Sequence, residues 1–376
     1  MIGLENTNNP GLYIHIPFCR TKCPYCAFFS VTSTSLIDRW MEAFRKEVRY
    51  YKDRFNRFDS LYFGGGTPSA LETSVLVNLM DYIAIHYDFE SDSEVSIEAN
   101  PCDLNREKVR ALKDMGFNRV SLGVQSFDDR ILSFLGRNHT ATEAEAALSS
   151  LRSVGFNDIS IDLIFGLEKQ TKKEWLDTLK RAILFQPEHL SCYQLTFNKK
   201  TLFGRLKDRG VIQPLSEREE ASFFLATSQF LEDNGYIHYE ISSFARDDFC
   251  RSRHNYKYWR HTPYLGLGPS AHSFYESRRW WNVRSVRKYC EALKCGRAPV
   301  EGSENLSDEQ LSFESIILGL RTYEGFDQNR LTPDHQSREM LSGLQNAGFL
   351  RFDSERVIPT KMGFLVADYL ACCLGG

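Results

Sequence analysis

The stretch Tyr13-Ile-His-Ile-Pro-Phe-Cys19-Arg-Thr-Lys-Cys23-Pro-Tyr-Cys26 places three cysteines directly after a short apolar run, Leu12–Ile16. Closely spaced cysteine thiolates are typical ligands of an iron–sulfur cluster. A [4Fe–4S] cube normally takes four thiolates, so three cysteines would leave one iron open to a small molecule. The spacing therefore favours a cluster at Cys19, Cys23 and Cys26 with one exchangeable position.

Zinc is the alternative occupant, because His15 and the three cysteines together offer four zinc-type ligands. Two features weigh against it. His15 belongs to the predicted strand, so its ring can point away from the cysteines. The gap of three residues between Cys19 and Cys23 is also unusual for a zinc knuckle.

Six short apolar runs alternate with amphipathic stretches, which predicts a parallel sheet with helices outside it. A Rossmann sheet and a partial TIM-like barrel both fit this alternation. Unusual polar or glycine residues follow the runs at their carboxyl ends, where barrel enzymes place their active sites. We therefore predict an α/β fold with a partial (βα)6 barrel. The predicted strands are Leu12–Ile16, Leu61–Phe63, Val95–Glu98, Val120–Val124, Ile159–Ile164 and Leu190–Gln194.

The alternation weakens after Thr196, so the chain divides into three predicted regions. They are a core over 1–240, a connecting segment over 241–305 and a small winged-helix-like α+β module over 306–376. Three capping boxes are predicted at helix starts from the Ser/Thr-x-x-Glu/Gln pattern. They are Thr142 with Glu145, Thr171 with Glu174, and Ser307 with Gln310.

The composition is that of an ordinary globular protein: 376 residues, 42% hydrophobic, 25% charged and a net charge of −3. It excludes a mainly disordered chain. The near-neutral balance argues against a protein built to neutralise nucleic-acid phosphates. No apolar run is long enough for a membrane helix, and Met1–Pro10 does not look like a secretory signal. We expect a cytoplasmic protein without a membrane span.

A second motif, Gly64-Gly-Gly-Thr-Pro68, follows the second predicted strand and would let the backbone approach a ligand closely. It lacks the Lys-Ser/Thr pair of a phosphate loop. With the cysteine motif, it resembles the radical-SAM proteins related to oxygen-independent coproporphyrinogen III oxidase. Further segments carry the resemblance: Ser96–Pro101, Leu122–Phe127, Gly136–Arg137 and Ile161–Leu167.

The resemblance implies that Cys19, Cys23 and Cys26 hold a [4Fe–4S] cluster and that S-adenosylmethionine (SAM) binds beside it. Carboxylates and amides would accept hydrogen bonds from the ribose hydroxyls, and an arginine would pair with the SAM carboxylate. No catalytic residue is assigned. The SAM-contacting positions implied are Tyr13, Tyr25, Gly65, Gly66, Thr67, Glu98, Gln125, Arg137 and Asp162.

Two branches share this scaffold, the oxidases and the HemW-type heme chaperones. The oxidase pattern has a fourth cysteine where this chain has Phe28, and a longer arm before the first strand. The segment His254-Asn-Tyr-Lys-Tyr-Trp259 matches the HNxxYW motif of the chaperones. One departure is Ala27, where the chaperones usually carry an acidic residue. The resemblance therefore implies a heme chaperone. A coproporphyrinogen III oxidase (dehydrogenase) is the enzymatic alternative, and a nucleic-acid-modifying radical enzyme is a weaker one.

The chaperone resemblance makes His254 the candidate heme ligand, since histidine is a usual axial ligand of heme iron. Heme would be the cargo, delivered to acceptor proteins, with membrane respiratory enzymes as a family-level expectation and a peripheral membrane location during delivery. No nucleic-acid partner is expected. Aromatic and basic neighbours could pack on the porphyrin and pair with its propionates: Tyr256, Tyr258, Trp259, Arg251, Arg253, Lys257 and Arg260.

Overall fold

The computed structural model describes residues 9–331, 335–353 and 355–374, with the side chains of 335–338 excepted. Most of the stretch Met1–Pro10, on which the targeting expectation rests, lies outside the described residues. No helix in the described ranges is long and apolar enough to cross a membrane.

Six parallel strands lie side by side in sequence order, with helices between them. The predicted α/β fold built from six strand–helix units is confirmed. The strands are β1 (Gly11–Ile16), β2 (Arg57–Gly65), β3 (Asp88–Ala99), β4 (Arg119–Gln125), β5 (Asp158–Phe165) and β6 (His189–Gln194). The helices are α1 (Ile37–Tyr51), α2 (Thr73–His86), α3 (Arg106–Asp114), α4 (Asp129–Phe134), α5 (Ala141–Val154) and α6 (Lys172–Ile183).

The two faces of these strands differ in chemistry, because successive side chains point to opposite sides of a sheet. One set is apolar and forms the main core under the helices, as with Leu12, Ile14 and Ile16 of β1. The other set is mostly polar and lines an internal cavity. Its members include Tyr62, Glu98, Arg119, Ser121, Ser160, Asp162, His189 and Ser191. The interior of this barrel is therefore suited to holding a polar ligand.

The segment 241–305, expected to be a connector, adds strands to the main sheet. Its β9 pairs in parallel with β1, and β10 to β12 extend the sheet by antiparallel pairing. On the far side, β8 and β7 follow β6, which completes a sheet of twelve strands. The elements after β6 are α7 (Leu202–Asp208), α8 (Glu217–Asp233), β7 (Ile237–Glu240), β8 (Ser243–Ala245), α9 (Arg253–Trp259), β9 (Tyr264–Leu267), β10 (His272–Tyr275), β11 (Arg278–Asn282), α10 (Val286–Lys294) and β12 (Val300–Asn305).

The C-terminal region forms a small α+β module with a three-stranded antiparallel sheet in the order β13–β15–β14. A separate apolar cluster, which includes Leu320, Val357 and Leu370, holds it together. Its elements are α11 (Asp308–Gly319), β13 (Phe326–Asp327), α12 (His335–Asn346), β14 (Leu350–Phe352), β15 (Arg356–Pro359), α13 (Lys361–Leu365) and α14 (Ala367–Leu374).

Two of the three predicted capping boxes, at the starts of α6 and α11, are confirmed. The prediction for α5 was wrong by two residues, because its box is formed by Thr140 and Glu143. The Asp129 side chain accepts a hydrogen bond from the Ala141 backbone at 2.8 Å, which satisfies a further free amide at the earlier start. Thr142 therefore lies inside the first turn.

Helix α9 packs against the barrel at Asp59 of β2 and Glu94 of β3. The Glu94 carboxylate accepts hydrogen bonds from the Arg253 and His254 amides, at 2.8 and 3.0 Å. The Lys257 ammonium lies 2.8 Å from the Asp59 carboxylate, and both side chains are buried. The opposite side of α9 meets the C-terminal module, where Arg260 pairs with Glu324 at 2.6 Å. Helix α9 is thus a plug held between the barrel and the module.

We predict that Lys257→Met destabilises the protein by about 3–5 kcal/mol, because it leaves the Asp59 carboxylate buried without its cation. The double variant Lys257→Met/Asp59→Asn, which removes both charges, should lose less. Urea unfolding of the three proteins measures the difference. A single variant as stable as the wild type would contradict the role given to this ion pair.

Candidate functional site

A cavity of about 500 Å³ occupies the barrel and opens toward the carboxyl ends of the strands. The loop after β1, which carries the three cysteines, forms one wall. The glycine loop after β2 and the polar side chains of β2 to β6 form the others. The structure thus brings together Cys19, Cys23, Cys26 and eight of the nine positions expected to contact SAM. Those eight are Tyr25, Gly65, Gly66, Thr67, Glu98, Gln125, Arg137 and Asp162.

The three cysteines are free and partly exposed on the cavity wall. Two of them receive a side-chain hydrogen bond. The Thr67 hydroxyl donates to the Cys19 sulfur at 3.4 Å, and the Arg137 guanidinium donates to the Cys23 sulfur at 3.5 Å. The thiolate is the form of cysteine that binds metal, and both hydrogen bonds end on sulfurs that would serve as ligands.

The zinc alternative does not fit this geometry. Within the described residues, no group of three or more His, Cys, Asp or Glu side chains is arranged to hold a single metal ion. His15 Nε2 donates to the Phe29 carbonyl at 2.8 Å, and Nδ1 accepts from the Tyr13 hydroxyl at 3.1 Å, so neither nitrogen is available. In a cube each thiolate binds a different iron, so the three sulfurs need not converge on one point. The donor set therefore fits a cluster better than zinc.

The glycine loop packs directly against the start of the cysteine loop. The amides of Gly66 and Thr67 donate to the carbonyls of Ile16 and Phe18 at 2.7 and 2.8 Å. Gly65 has a φ of 107°, and a Cβ there would lie 2.6 Å from the His15 ring. Only glycine fits this position, because any side chain would collide with the imidazole and force the two loops apart.

Two half-buried carboxyl groups line the cavity. Glu98 accepts hydrogen bonds from the Tyr62 hydroxyl at 3.0 Å and the Gly65 amide at 3.1 Å. Burial, followed by the charge of Asp162, raises the pKa of Glu98 to about 7. Burial also raises the pKa of Asp162 to about 6, although the Ser121 hydroxyl donates to it at 2.9 Å. Both groups can accept hydrogen bonds from ligand hydroxyls and change protonation near neutral pH.

Gln125 and Arg137 also line the cavity, Arg137 next to Cys23. Gln125 has a φ of 66°, a conformation that strains any residue other than glycine, and its amide has no side-chain partner among the described residues. Arg137 is held in place by Asn100 and by the Gly123 carbonyl, which accepts at 2.8 Å. A strained residue with an unpaired amide at a cavity wall is consistent with a contact to a ligand.

Tyr13, the ninth position expected to contact SAM, is not among the residues that line the cavity. Its ring packs at 6.2 Å from both Tyr62 and His254, and its hydroxyl is used by His15. Because Tyr62 itself lines the cavity, Tyr13 is placed one layer behind it. Tyr13 therefore supports the cavity wall from behind, through its contact with Tyr62.

His254 is also placed away from the cavity surface. Its side chain is 0% exposed, and its two nitrogens bond the Ser60 hydroxyl at 3.0 Å and the Tyr258 hydroxyl at 2.9 Å. Burial and the charge of Lys257 lower its pKa to about 3. The arrangement leaves no open approach for a heme iron to this imidazole.

The basic residues around His254 form ion pairs with carboxylates of the protein itself. The motif had suggested that they could pair with heme propionates instead. Arg253 pairs with Asp92 at 3.2 Å, and Lys257 pairs with Asp59 at 2.8 Å. Arg251 and Arg260 share Glu324, at 3.4 and 2.6 Å. Spacing along the chain could not show these pairs, because Asp59, Asp92 and Glu324 are far from the motif in sequence.

Sequence reasoning missed several cavity residues. Tyr62, Ser121, Ser160, His189 and Ser191 line the cavity but belong to strands that looked simply apolar. Polar residues at every second position of an apolar run were the available signal, since one face of a strand has period two. Asn255 also lines the cavity, although its motif pointed to heme.

Comparisons with known proteins agree with this geometry. Residues 13–182 match the family model of the Radical SAM superfamily. The heme chaperone HemW of Synechocystis is 33% identical over 352 residues, which cover 90% of this chain and 85% of that protein. HemW of Bacillus subtilis is 33% identical over 366 residues, covering 95% and 96%. The structure of coproporphyrinogen III oxidase (HemN) from Escherichia coli, a radical SAM enzyme, superposes with a TM-score of 0.84 at 25% identity, covering 97% and 90%.

We predict that Gln125→Gly is more stable than Gln125→Ala by about 1 kcal/mol, because only glycine relieves the left-handed backbone. Both variants remove the amide, so the comparison isolates strain from side-chain contacts. Urea unfolding of the two proteins measures it. Equal stabilities would show that Gln125 carries no strain.

Proposed function

Because the chain belongs to the HemW family of heme chaperones within the radical SAM superfamily, we propose that it binds a [4Fe–4S] cluster, SAM and heme, and transfers heme to acceptor proteins. The observation that carries the proposal is the cavity shared by three cysteines, a glycine loop and two half-buried carboxyl groups. Transfer would take place in the cytoplasm, at the membrane surface when the acceptor is a respiratory enzyme.

The cluster would be held by Cys19, Cys23 and Cys26, and when bound it supplies an electron for reductive cleavage of SAM. The chain's own contribution is to set the environment of the sulfurs. Hydrogen bonds from Thr67 and Arg137 reach two of the thiolates, and such bonds tune the potential of a cluster.

SAM would lie between the cysteine loop and β3 to β5. Gly65, Gly66 and Thr67 would border its amino-acid end, and Arg137 supplies positive charge for its carboxylate. Glu98, Gln125 and Asp162 offer acceptors to the ribose and the rest of the nucleoside. Tyr62 orients Glu98 through the hydrogen bond at 3.0 Å.

A porphyrinogen-oxidising activity is the alternative, supported by the fold shared with HemN. Phe28 counts against it. This side chain is 69% exposed at the edge of the cavity, where the oxidase pattern has a fourth cysteine. The HemW relatives, matched over most of their length, favour the chaperone.

The nucleic-acid alternative rested on the basic and aromatic residues of 251–261. The carboxylates that pair with Arg251, Arg253, Lys257 and Arg260 neutralise this patch. His261 also faces a carboxylate, Glu314, at 2.9 Å. A patch neutralised from within offers little attraction to phosphates.

We expect anaerobic reconstitution with iron and sulfide to yield one oxygen-sensitive [4Fe–4S] cluster. Cys19→Ala, Cys23→Ala and Cys26→Ala should each abolish it, because each removes one of only three ligands. Iron and sulfide analysis with EPR of the reduced protein measures the cluster. Cys102→Ala and Cys192→Ala are the matched controls and should retain it. Zinc as the tightly bound metal would refute the proposal.

We expect no conversion of coproporphyrinogen III to protoporphyrinogen IX, since Phe28 replaces the fourth cysteine of the oxidase pattern. The assay supplies SAM, a reductant and the reconstituted protein, and detects vinyl products by chromatography. Product formed over many turnovers would show that the chain is an oxidase.

A further inference from the structure

One histidine differs from the others in its surroundings. The chain has nine histidines, and the side chains of all but His335 are described. Within that described set, His272 alone is exposed. It is also the one whose ring nitrogens both lack a hydrogen-bond partner among the described residues. An exposed imidazole with both nitrogens free can accept a metal without breaking any contact of the fold.

The His272 ring lies flat against an aromatic wall. His272 on β10 faces Trp281 on β11 across the antiparallel pair, with ring centroids 6.0 Å apart and planes inclined by 25°. Gly302 on β12 lies opposite Trp281, and a Cβ there would come within 2.5 Å of the indole. The absence of a side chain at Gly302 lets the indole lie across the next strand as a flat apolar surface.

This aromatic wall adjoins the cysteine loop. Arg284, just past the end of β11, donates to the Ala27 carbonyl at 3.3 Å. The turn before His272 also approaches the start of this loop: the Ala271 amide donates to the Gly268 carbonyl at 3.2 Å, and a Cβ on Gly268 would lie 2.4 Å from the His15 carbonyl. The loop that carries Cys23 and Cys26 therefore lies next to the stacked rings of His272 and Trp281. Phe28, an exposed residue of the same loop, adds a second aromatic surface.

Two cations on this patch are free of carboxylate partners. Among the residues that the structure describes, Lys22 donates to the Phe28 carbonyl at 2.9 Å and the Ser30 hydroxyl at 3.1 Å, and to no carboxylate. Across the described ranges, neither Lys22 nor Arg284 forms an ion pair. Arg251, Arg253, Lys257 and Arg260, by contrast, all have carboxylate partners. The patch therefore retains two unpaired positive charges.

We propose that the patch of His272, Trp281, Phe28, Arg284 and Lys22 is a heme-binding site, with His272 as an axial ligand of the iron. The proposal deepens the proposed heme-chaperone function and rests on it. A heme requires an imidazole for its iron, apolar surfaces for its macrocycle and cations for its two propionates, and this patch offers all three.

The chemistry of ligation is compatible with the surroundings of His272. Partial burial, followed by the charges of Arg279 and Arg284, lowers the pKa of this imidazole, so it stays neutral at physiological pH. A neutral ring donates a nitrogen lone pair to the iron and displaces a water molecule, with no electron transferred. Arg279 is not a free partner for a propionate, because it pairs with Glu304 and Glu314. To bind the iron instead, His254 would first have to break its two hydrogen bonds and leave its buried position.

The decisive experiment titrates the reconstituted protein with hemin and records affinity and the Soret band. His272→Ala should weaken binding by at least about tenfold and shift the band, while cluster content stays unchanged. His254→Ala is the matched comparison. Unchanged affinity and spectrum in His272→Ala would overturn the proposal, as would the loss of heme from His254→Ala alone. A wild type that binds no hemin would overturn the proposed function itself.

Protoporphyrin IX, which has no iron, separates ligation from the other contacts. His272→Ala should bind it as well as the wild type, whereas Lys22→Gln/Arg284→Gln should bind both porphyrin and hemin several-fold more weakly. Lys173→Gln, an exposed cation on α6, is the control and should have no effect. If the double variant bound both ligands normally, the propionate contacts would be wrong. If His272→Ala lost metal-free porphyrin equally, axial ligation would be wrong.

Discussion

The polar interior of the barrel is the constraint on which the rest of the structure depends. Inward side chains such as Glu98, Arg119 and Asp162 cannot fill the barrel as the branched apolar layers of an eight-stranded barrel do. The structure keeps a cavity of about 500 Å³ there, and α9 lies at one end of it, with Asn255 in its lining. The contact of α9 with the barrel uses a buried ion pair and a carboxylate at the helix start, so the plug is polar where it meets the barrel.

The same constraint produces the chemistry of the site. Burial within the barrel brings the pKa values of Glu98 and Asp162 close to neutral, and the Tyr62 hydroxyl holds Glu98 in place. Gly65 allows the glycine loop to lie against His15, which in turn bonds the cysteine loop. The cluster loop, the glycine loop and the acidic pair are thus one connected unit, and His15 stabilises it without binding metal.

Two histidines illustrate how a motif and a structure can give different answers. His254 belongs to a recognisable motif, but its ring is buried in the plug with both nitrogens bonded. His272 belongs to no motif that sequence reasoning singled out, yet it is exposed beside the cysteine loop, and neither ring nitrogen has a partner in the part of the chain that the structure describes. An exposed ring can exchange a ligand and a buried one cannot, which matters for a protein whose proposed cargo must be released.

The sequence by itself determined the strand–helix order and the cysteine loop, because local spacing and apolar periodicity carry that information. Eight positions of the cavity wall came from the resemblance of its motifs to the radical-SAM proteins, not from spacing. The sequence did not reveal the place of His254, the start of α5 or the strands of 241–305. Those depend on partners far along the chain, such as Asp59 for Lys257 and β1 for β9. Only tertiary structure decides which polar residues are already paired and which remain free for a ligand, since pairing depends on distance in space.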